Sequence, residues 1–173
     1  MKILFTLLFF SSFAYSHDSF ETESAELAKK LKSNLMSELQ KKISASGPEE
    51  AIDFCHLNVK TIAKSLAGDL AKKYKFGRTS HRVRNQENIP NDWMKVYLDK
   101  FNREKTTKPV IHNFSDGKRA YLEPLFVQPM CLSCHGTAVT GSVKAEIKKR
   151  YPNDKATGFK VGDFRGFIWI LEK

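Results

Sequence analysis

Two cysteines and a histidine in the second half of the chain constrain its fold more than any other feature. Cys131 and Cys134 are separated by two residues, and His135 follows directly. Two thiols at this spacing can each form a thioether to one vinyl group of the same porphyrin, and the adjacent imidazole is then held beneath the ring as an axial ligand. The pattern therefore predicts one covalently attached c-type haem, with Cys131 and Cys134 as the attachment residues and His135 as the proximal ligand.

Two other kinds of site use paired cysteines, and the sequence leaves both open. A redox-active disulfide is expected beside a βαβ pattern, which this sequence lacks. Tetrahedral zinc needs four ligands, usually from two such pairs, and here Cys55 and scattered histidines would have to complete the set. Haem attachment is the favoured interpretation.

The N-terminus agrees with a haem that is attached outside the cytoplasm. Lys2 is followed by a short apolar run, residues 3–10, and by small residues at Ala14 and Ser16. This pattern predicts a secretory signal peptide over residues 1–16 and a periplasmic protein. An N-terminal anchor is the alternative, although the run is shorter than the roughly 20 apolar residues of a membrane span. The remaining residues, 17–173, are predicted to form a single domain.

The charge of the chain bears on its partners. The formal net charge is +10, and the basic residues are spread over helical faces. An Arg-rich and aromatic stripe is missing, so no nucleic-acid partner is expected. A basic surface can attract an acidic redox or signalling protein. No segment after residue 16 is hydrophobic enough to predict a membrane span.

Hydrophobic periodicity predicts helices in the first half of the chain. Apolar residues repeat at i+4 and predict an amphipathic helix over about residues 21–43, with the stripe Leu27, Leu31, Leu35 and Leu39. Residues 44–48 end it, and Pro48 is typical of the first position of a second helix. Cys55 lies on the apolar stripe of that second helix and is predicted to face inward.

The second half of the chain is predicted to contain an antiparallel sheet. We first predict an irregular polar segment at 78–85 and a third helix from 90. Strands at 109–114 and 119–127 then flank a turn at 115–118. The haem motif follows in a loop, and after it come a short helix near 143–151 and a strand at 167–171. The fold class is therefore α+β, with helices first and the haem loop inserted in the sheet region.

A second axial ligand has six candidates: Cys55, His56, His81, Met94, His112 and Met130. Cys55 is the best placed, because it projects from an apolar helix face that can cover a porphyrin. His56 lies about 100° around the same helix, and Met130 adjoins the attachment motif. Unpaired cysteines are often buried only because they pack well, so both interpretations of Cys55 remain open.

The chain resembles the single-haem c-type cytochrome domains with a PAS-like fold, which occur alone or as extracytoplasmic parts of bacterial sensors. The matching blocks cover nearly all of residues 17–173: 51–55, 78–80, 84–85, 88, 90, 93, 121–124, 131–136, 151–156 and 162–166. The resemblance implies a PAS-like antiparallel sheet flanked by long N-terminal helices. It also implies that Cys131 and Cys134 carry the haem, that His135 is the proximal ligand and that Cys55 is the distal ligand.

An arginine-rich segment is expected to interact with the haem propionates. Arg78, Arg82 and Arg84 are candidates, and Arg84 is the residue that we select, because guanidinium groups bind carboxylates through charge-assisted hydrogen bonds. The alternative is that these arginines are solvated or make structural hydrogen bonds.

Three functions are compatible with such a haem protein. The first is sensing of redox state or of a diatomic gas, with His/Cys ligation and a displaceable sixth ligand. The second is periplasmic electron transfer. The third, peroxidase-like or nitrite-converting activity, is not expected, because the sequence offers no recognisable distal acid–base pair. The chain carries no kinase, cyclase or methyl-accepting segment, so any sensed signal would pass to another protein.

Overall fold

The computed structural model describes residues 18–173, and the predicted signal peptide, residues 1–16, lies outside them. The elements are α1 (Ser19–Ala67), α2 (Leu70–Lys73), β1 (Tyr74–Thr79), α3 (Asp92–Glu104), β2 (Val110–Asn113), β3 (Arg119–Phe126), α4 (Leu132–His135), α5 (Gly141–Arg150) and β4 (Phe164–Glu172), with short 3₁₀ turns at Gln86–Asn88 and Pro129–Cys131.

Helix α1 consists of two segments that meet at Gly47. The Asp18 side chain caps its start by accepting a hydrogen bond from the Phe20 backbone N–H at 3.0 Å. Gly47 adopts a φ of 80°, outside the helical region, and Pro48 follows it. A residue with a side chain rarely adopts this φ, so glycine permits the break. The predicted boundary between two helices is confirmed, and Cys55 lies in the second segment.

The four strands form one antiparallel sheet in the order β1-β4-β3-β2. The predicted hairpin is present as β2 and β3. Strand β4 lies between β1 and β3, so that Ile168 has Arg78 as its partner on one side and Glu123 on the other. The α+β class, with an antiparallel sheet and a long N-terminal helix, is confirmed and is consistent with a PAS-like arrangement.

Strand β1 was not predicted. The prediction of an irregular segment from Arg78 onward is wrong for Arg78 and Thr79, which pair with β4. The strand is short and lies at the sheet edge, and its exposed Lys75 and Arg78 obscure the alternation that marks a half-buried strand. Gly77 in its middle leaves room for the Trp169 ring of β4.

The two faces of the sheet are covered by different helices. The first segment of α1 packs on one face through Leu27, Ala28 and Leu31. Helix α3 covers the other face through Met94, Leu98 and Phe101. The start of the second segment of α1 packs against α5 in a separate apolar cluster of Ile52, Val139, Val143, Ile147 and Tyr151, to which Cys134 is adjacent. The end of this segment, at Ala67, packs in the same cluster as the first segment.

The segment that carries the paired cysteines is helical. A 3₁₀ turn ends at Cys131, and α4 continues through His135, so the prediction that the motif lies in a loop was wrong for these residues. Gln128 begins the turn, and its backbone N–H lies 3.4 Å from the Cys131 Sγ. Within residues 18–173, none of the helices has the length and apolar content of a membrane span.

Candidate functional site

A cavity of about 570 Å³ lies between α1, the sheet and α4. Its lining includes all three cysteines of the chain, Cys55, Cys131 and Cys134, together with His135. The volume is within the range of small-molecule and cofactor sites. Residues that are far apart in the sequence and that were predicted to serve one cofactor thus meet at one cavity.

The orientation of the His135 imidazole is fixed by a backbone oxygen. Its Nδ1 lies 2.6 Å from the carbonyl oxygen of Ala156. Because this oxygen can only accept, Nδ1 carries the proton and Nε2 keeps its lone pair, which is the tautomer of a metal-binding histidine. Burial, with the positive charges of Arg165 and Arg84, holds the pKa of His135 well below its usual value. The imidazole is therefore neutral around pH 7 and ready to bind a metal ion through Nε2.

The cysteines at the cavity are separate thiols. Cys55, Cys131 and Cys134 are all half-buried, and no disulfide joins them. Burial raises the pKa of the Cys134 thiol. Across residues 18–173 there is no group of three or more His, Cys, Asp or Glu side chains placed to hold a bare metal ion.

Cys55 reaches the cavity from the second segment of α1. Burial raises the pKa of its thiol, and the positive charges of Arg78 and Arg84 oppose this rise. Two contacts hold the segment to α5: Arg150 donates to Asp53 at 2.6 Å, and Ser142 donates to Glu49 at 2.5 Å. Since α5 also packs beside Cys134, it connects the segment that carries Cys55 to the segment that carries the paired cysteines.

Two of the six candidates for the second axial ligand, Cys55 and Met130, line the cavity. Met94 belongs to α3 and is buried between that helix and the other face of the sheet. The His112 Nδ1 is 2.8 Å from the Tyr97 hydroxyl, and its ring stacks on Trp93. His56 and His81 are exposed, and neither lines the cavity. The structure thus leaves Cys55 and Met130 as the candidates in position, and Met130 adjoins the attachment segment.

Arg84 lines the cavity but uses most of its donors within the protein. Its Nε donates to Asp154 at 3.1 Å, in an ion pair whose side chains are 12% and 8% exposed. Its Nη2 donates to the carbonyl oxygens of Cys134 at 2.6 Å and Ala156 at 3.3 Å. Arg84 thereby joins the segment of the paired cysteines to the backbone that orients His135. Its contact with a propionate stays a prediction.

Four cationic side chains line the cavity, against one carboxylate. The cations are Lys32, Arg78, Arg84 and Arg165, and the carboxylate belongs to Glu123, which pairs with Lys32 at 2.5 Å. Arg165 is not among the site residues predicted from the sequence. Its position in the block 162–166, directly after a turn and before an apolar strand, was the available signal.

The chain is similar to known proteins in both sequence and structure. A family model described as "Tll0287-like: Tll0287" matches residues 15–171. A solved structure described as "Crystal structure of the cyanobacterial heme-protein Tll0287" is similar with a TM-score of 0.63 and 25% sequence identity, over 87% of this chain and 90% of that chain. No curated protein matches the chain.

Proposed function

The chain belongs to the Tll0287-like family, and we propose that it is an exported haem protein, with one haem c covalently attached in the cavity. The observation that carries the proposal is that Cys55, Cys131, Cys134 and His135 all line the same cavity. The description of Tll0287 as a heme-protein supports the choice of cofactor.

The residues present fit a haem. The thiols of Cys131 and Cys134 would each add across a vinyl double bond, with no atom lost. His135 offers its Nε2 to the iron, because its Nδ1 is engaged by Ala156. Apolar side chains complete the walls, among them Met36, Leu39, Ile52, Leu125 and Phe126. A bound haem supplies one-electron exchange between ferric and ferrous iron.

We propose Cys55 as the distal ligand and the source of a redox or gas response. As a thiolate it donates electron density and favours ferric iron. A reduced haem would hold the Cys55 thiolate less firmly, so the helix segment that carries Cys55 would lose an anchor. Because α5 packs on this segment and beside Cys134, the change would reach the protein surface through α5. A small gas could bind in place of Cys55. A partner protein would then bind the altered surface with a different affinity.

Electron transfer in the periplasm is the second candidate. The net charge of +10 favours it, since a basic surface attracts an acidic redox partner. A carrier keeps Cys55 bound in both oxidation states. The two functions therefore differ in whether the helix formed by residues 48–67 becomes less stable on reduction. No enzymatic activity is proposed for either.

Hydrogen exchange of the oxidised and reduced holoprotein distinguishes the two candidates. For a sensor, amides in residues 48–67 exchange faster in the reduced protein, because their helix loses the Cys55 anchor. Helix α3, which packs on the other face of the sheet, serves as the internal control and keeps its rate. Equal exchange of residues 48–67 in both states would contradict sensing through Cys55 and favour the carrier.

A further inference from the structure

Two of the arginines at the cavity have no carboxylate partner. Lys32 pairs with Glu123, and Arg84 pairs with Asp154. Among residues 18–173, neither Arg78 nor Arg165 forms an ion pair with an acidic side chain. The cavity therefore holds two guanidinium groups whose charge is not balanced by the protein.

Arg165 lines the cavity with a half-buried guanidinium group. Its Nη1 donates to the Ser80 hydroxyl at 2.8 Å and to the Arg82 carbonyl oxygen at 3.3 Å. Its Nε and Nη2 have no acceptor among the described residues. A buried charge without a counter-charge is costly, and a bound anion would remove much of that cost. Burial and the neighbouring Arg78 and Arg84 lower the pKa of Arg165 to about 9, and the negative charge of Asp154 partly opposes this shift.

Arg78 lines the same cavity. It belongs to β1 and is next to Ile168 across the strand pair, on the sheet face that is covered by α1. Its side chain is exposed, and it has no hydrogen-bond partner among residues 18–173. Its replacement therefore removes no side-chain hydrogen bond and no ion pair within these residues, although it does remove a positive charge that acts on the Cys55 thiol.

We propose that Arg78 and Arg165 form the carboxylate-binding site of the cavity and take the two propionates of the haem, while Arg84 is a positioning residue for the attachment segment. This inference rests on the proposed function. Two unbalanced guanidinium groups match two carboxylates, and the planar fork of an arginine can hold a carboxylate through two hydrogen bonds. Arg84 has most of its donors occupied by Asp154 and by backbone oxygens.

The test compares R78Q and R165K with R82Q in holoprotein exported from cells that attach haem c. Arg82 is the matched control, because it is a nearby arginine that does not line the cavity and lies over the Phe159 ring. Haem content, measured by the mass of the denatured protein, tests the proposed function. Resonance Raman bands of the propionates and the pH dependence of the reduction potential test the inference.

We expect haem in all variants, with shifted propionate bands in R78Q and R165K and wild-type bands in R82Q. A propionate that loses its guanidinium partner has a higher pKa, so the potential of R78Q should gain a pH dependence in the neutral range. Haem-loaded R78Q and R165K with wild-type bands would overturn the inference and leave the proposed function intact. A wild-type protein without haem would overturn the proposed function itself.

A diffusible anion is the other source of the same chemistry. Titration of the wild-type holoprotein with sodium acetate, at constant ionic strength, separates the two. We expect no saturable change in the haem spectrum, because the propionates already occupy the site. A saturable change that R78Q abolishes would show that the arginines take a free carboxylate and would overturn the inference.

Discussion

The His135 Nδ1 and the Ala156 carbonyl oxygen lie 2.6 Å apart, and this oxygen also accepts a hydrogen bond from Arg84 at 3.3 Å. The backbone N–H of Ala156 donates to the Asp154 carboxylate at 2.9 Å. Both backbone groups of Ala156 are thus held by the buried Arg84–Asp154 pair. The orientation of the imidazole depends on an ion pair that does not itself touch it.

Removal of Arg84 should therefore weaken both the fold and the haem site. R84L leaves the buried Asp154 carboxylate without its partner, and loss of one member of a buried pair typically costs about 3–5 kcal/mol. We expect the free energy of unfolding, measured with urea, to fall by about this amount. The double variant R84L/D154L should recover part of the loss, because it leaves no uncompensated charge. A loss of under about 1 kcal/mol in R84L, the size of an exposed pair, would show that the pair does not support the segment.

Replacement of Cys55 should change the coordination of the iron without changing haem attachment. C55A is expected to keep a full content of covalent haem, because Cys131 and Cys134 are intact, and to alter the visible spectrum of the oxidised protein. C55M should raise the reduction potential, since a thioether donates less electron density than a thiolate. V59A, on the same helix, is the control and should keep the wild-type spectrum. An unchanged spectrum in C55A would assign Cys55 to packing alone.

The edge strand β1 should be sensitive to a single methyl group at Gly77. A Cβ at this position would lie 2.6 Å from the Trp169 Cζ2, closer than atoms can approach. We expect G77A to lower the free energy of unfolding by about 1–3 kcal/mol, the usual cost of overpacking. G141A is the matched control, because a Cβ there meets no atom within 4 Å. Equal stability of G77A and G141A would mean that Trp169 moves aside freely.

The stability of the protein should fall at alkaline pH because of two tyrosines. Burial raises the pKa of Tyr121, and its neighbour Glu123 raises it further. Burial and the hydrogen bond to Glu23 likewise raise the pKa of Tyr74. Above the unfolded pKa of about 10, these phenols ionise in the unfolded chain but not in the folded one, so the unfolded state binds fewer protons and stability decreases as pH rises.

The check is urea unfolding of the wild type and of Y74F/Y121F at several pH values. We expect the wild type to lose stability above about pH 10 and the double variant to lose less over the same range. Below that pH the difference between the two proteins should be constant. Parallel losses at alkaline pH would mean that other groups cause the decline.

The sequence predicted the elements whose patterns are local. Leucines spaced at i+4 predicted the first segment of α1, and Gly47 and Pro48 predicted its break. The turn at residues 115–118 predicted the hairpin of β2 and β3. Strand β1 was not predicted, because an edge strand with exposed charges lacks a clear alternation of apolar and polar residues.

Part of the site could likewise be predicted from the sequence, and part could not. The paired cysteines and His135 form a local motif, and Cys55 was selected because it lies on an apolar helix face. The resemblance to a known family added weight to that choice. Three other contributions are visible only in the tertiary structure. They are the backbone carbonyl of Ala156, the buried ion pair of Asp154 and the charge of Arg165, which has no carboxylate partner among the described residues. A lone arginine in a sequence does not show whether a carboxylate will face it.

The visible absorption spectrum tests the central claim most directly. The protein would be exported in cells that attach haem c, purified, and measured in the oxidised and then the reduced state. We predict the spectrum of a covalently bound haem, with a change of coordination on reduction as Cys55 leaves the iron. A colourless protein with Cys131 and Cys134 free or joined in a disulfide would contradict the account.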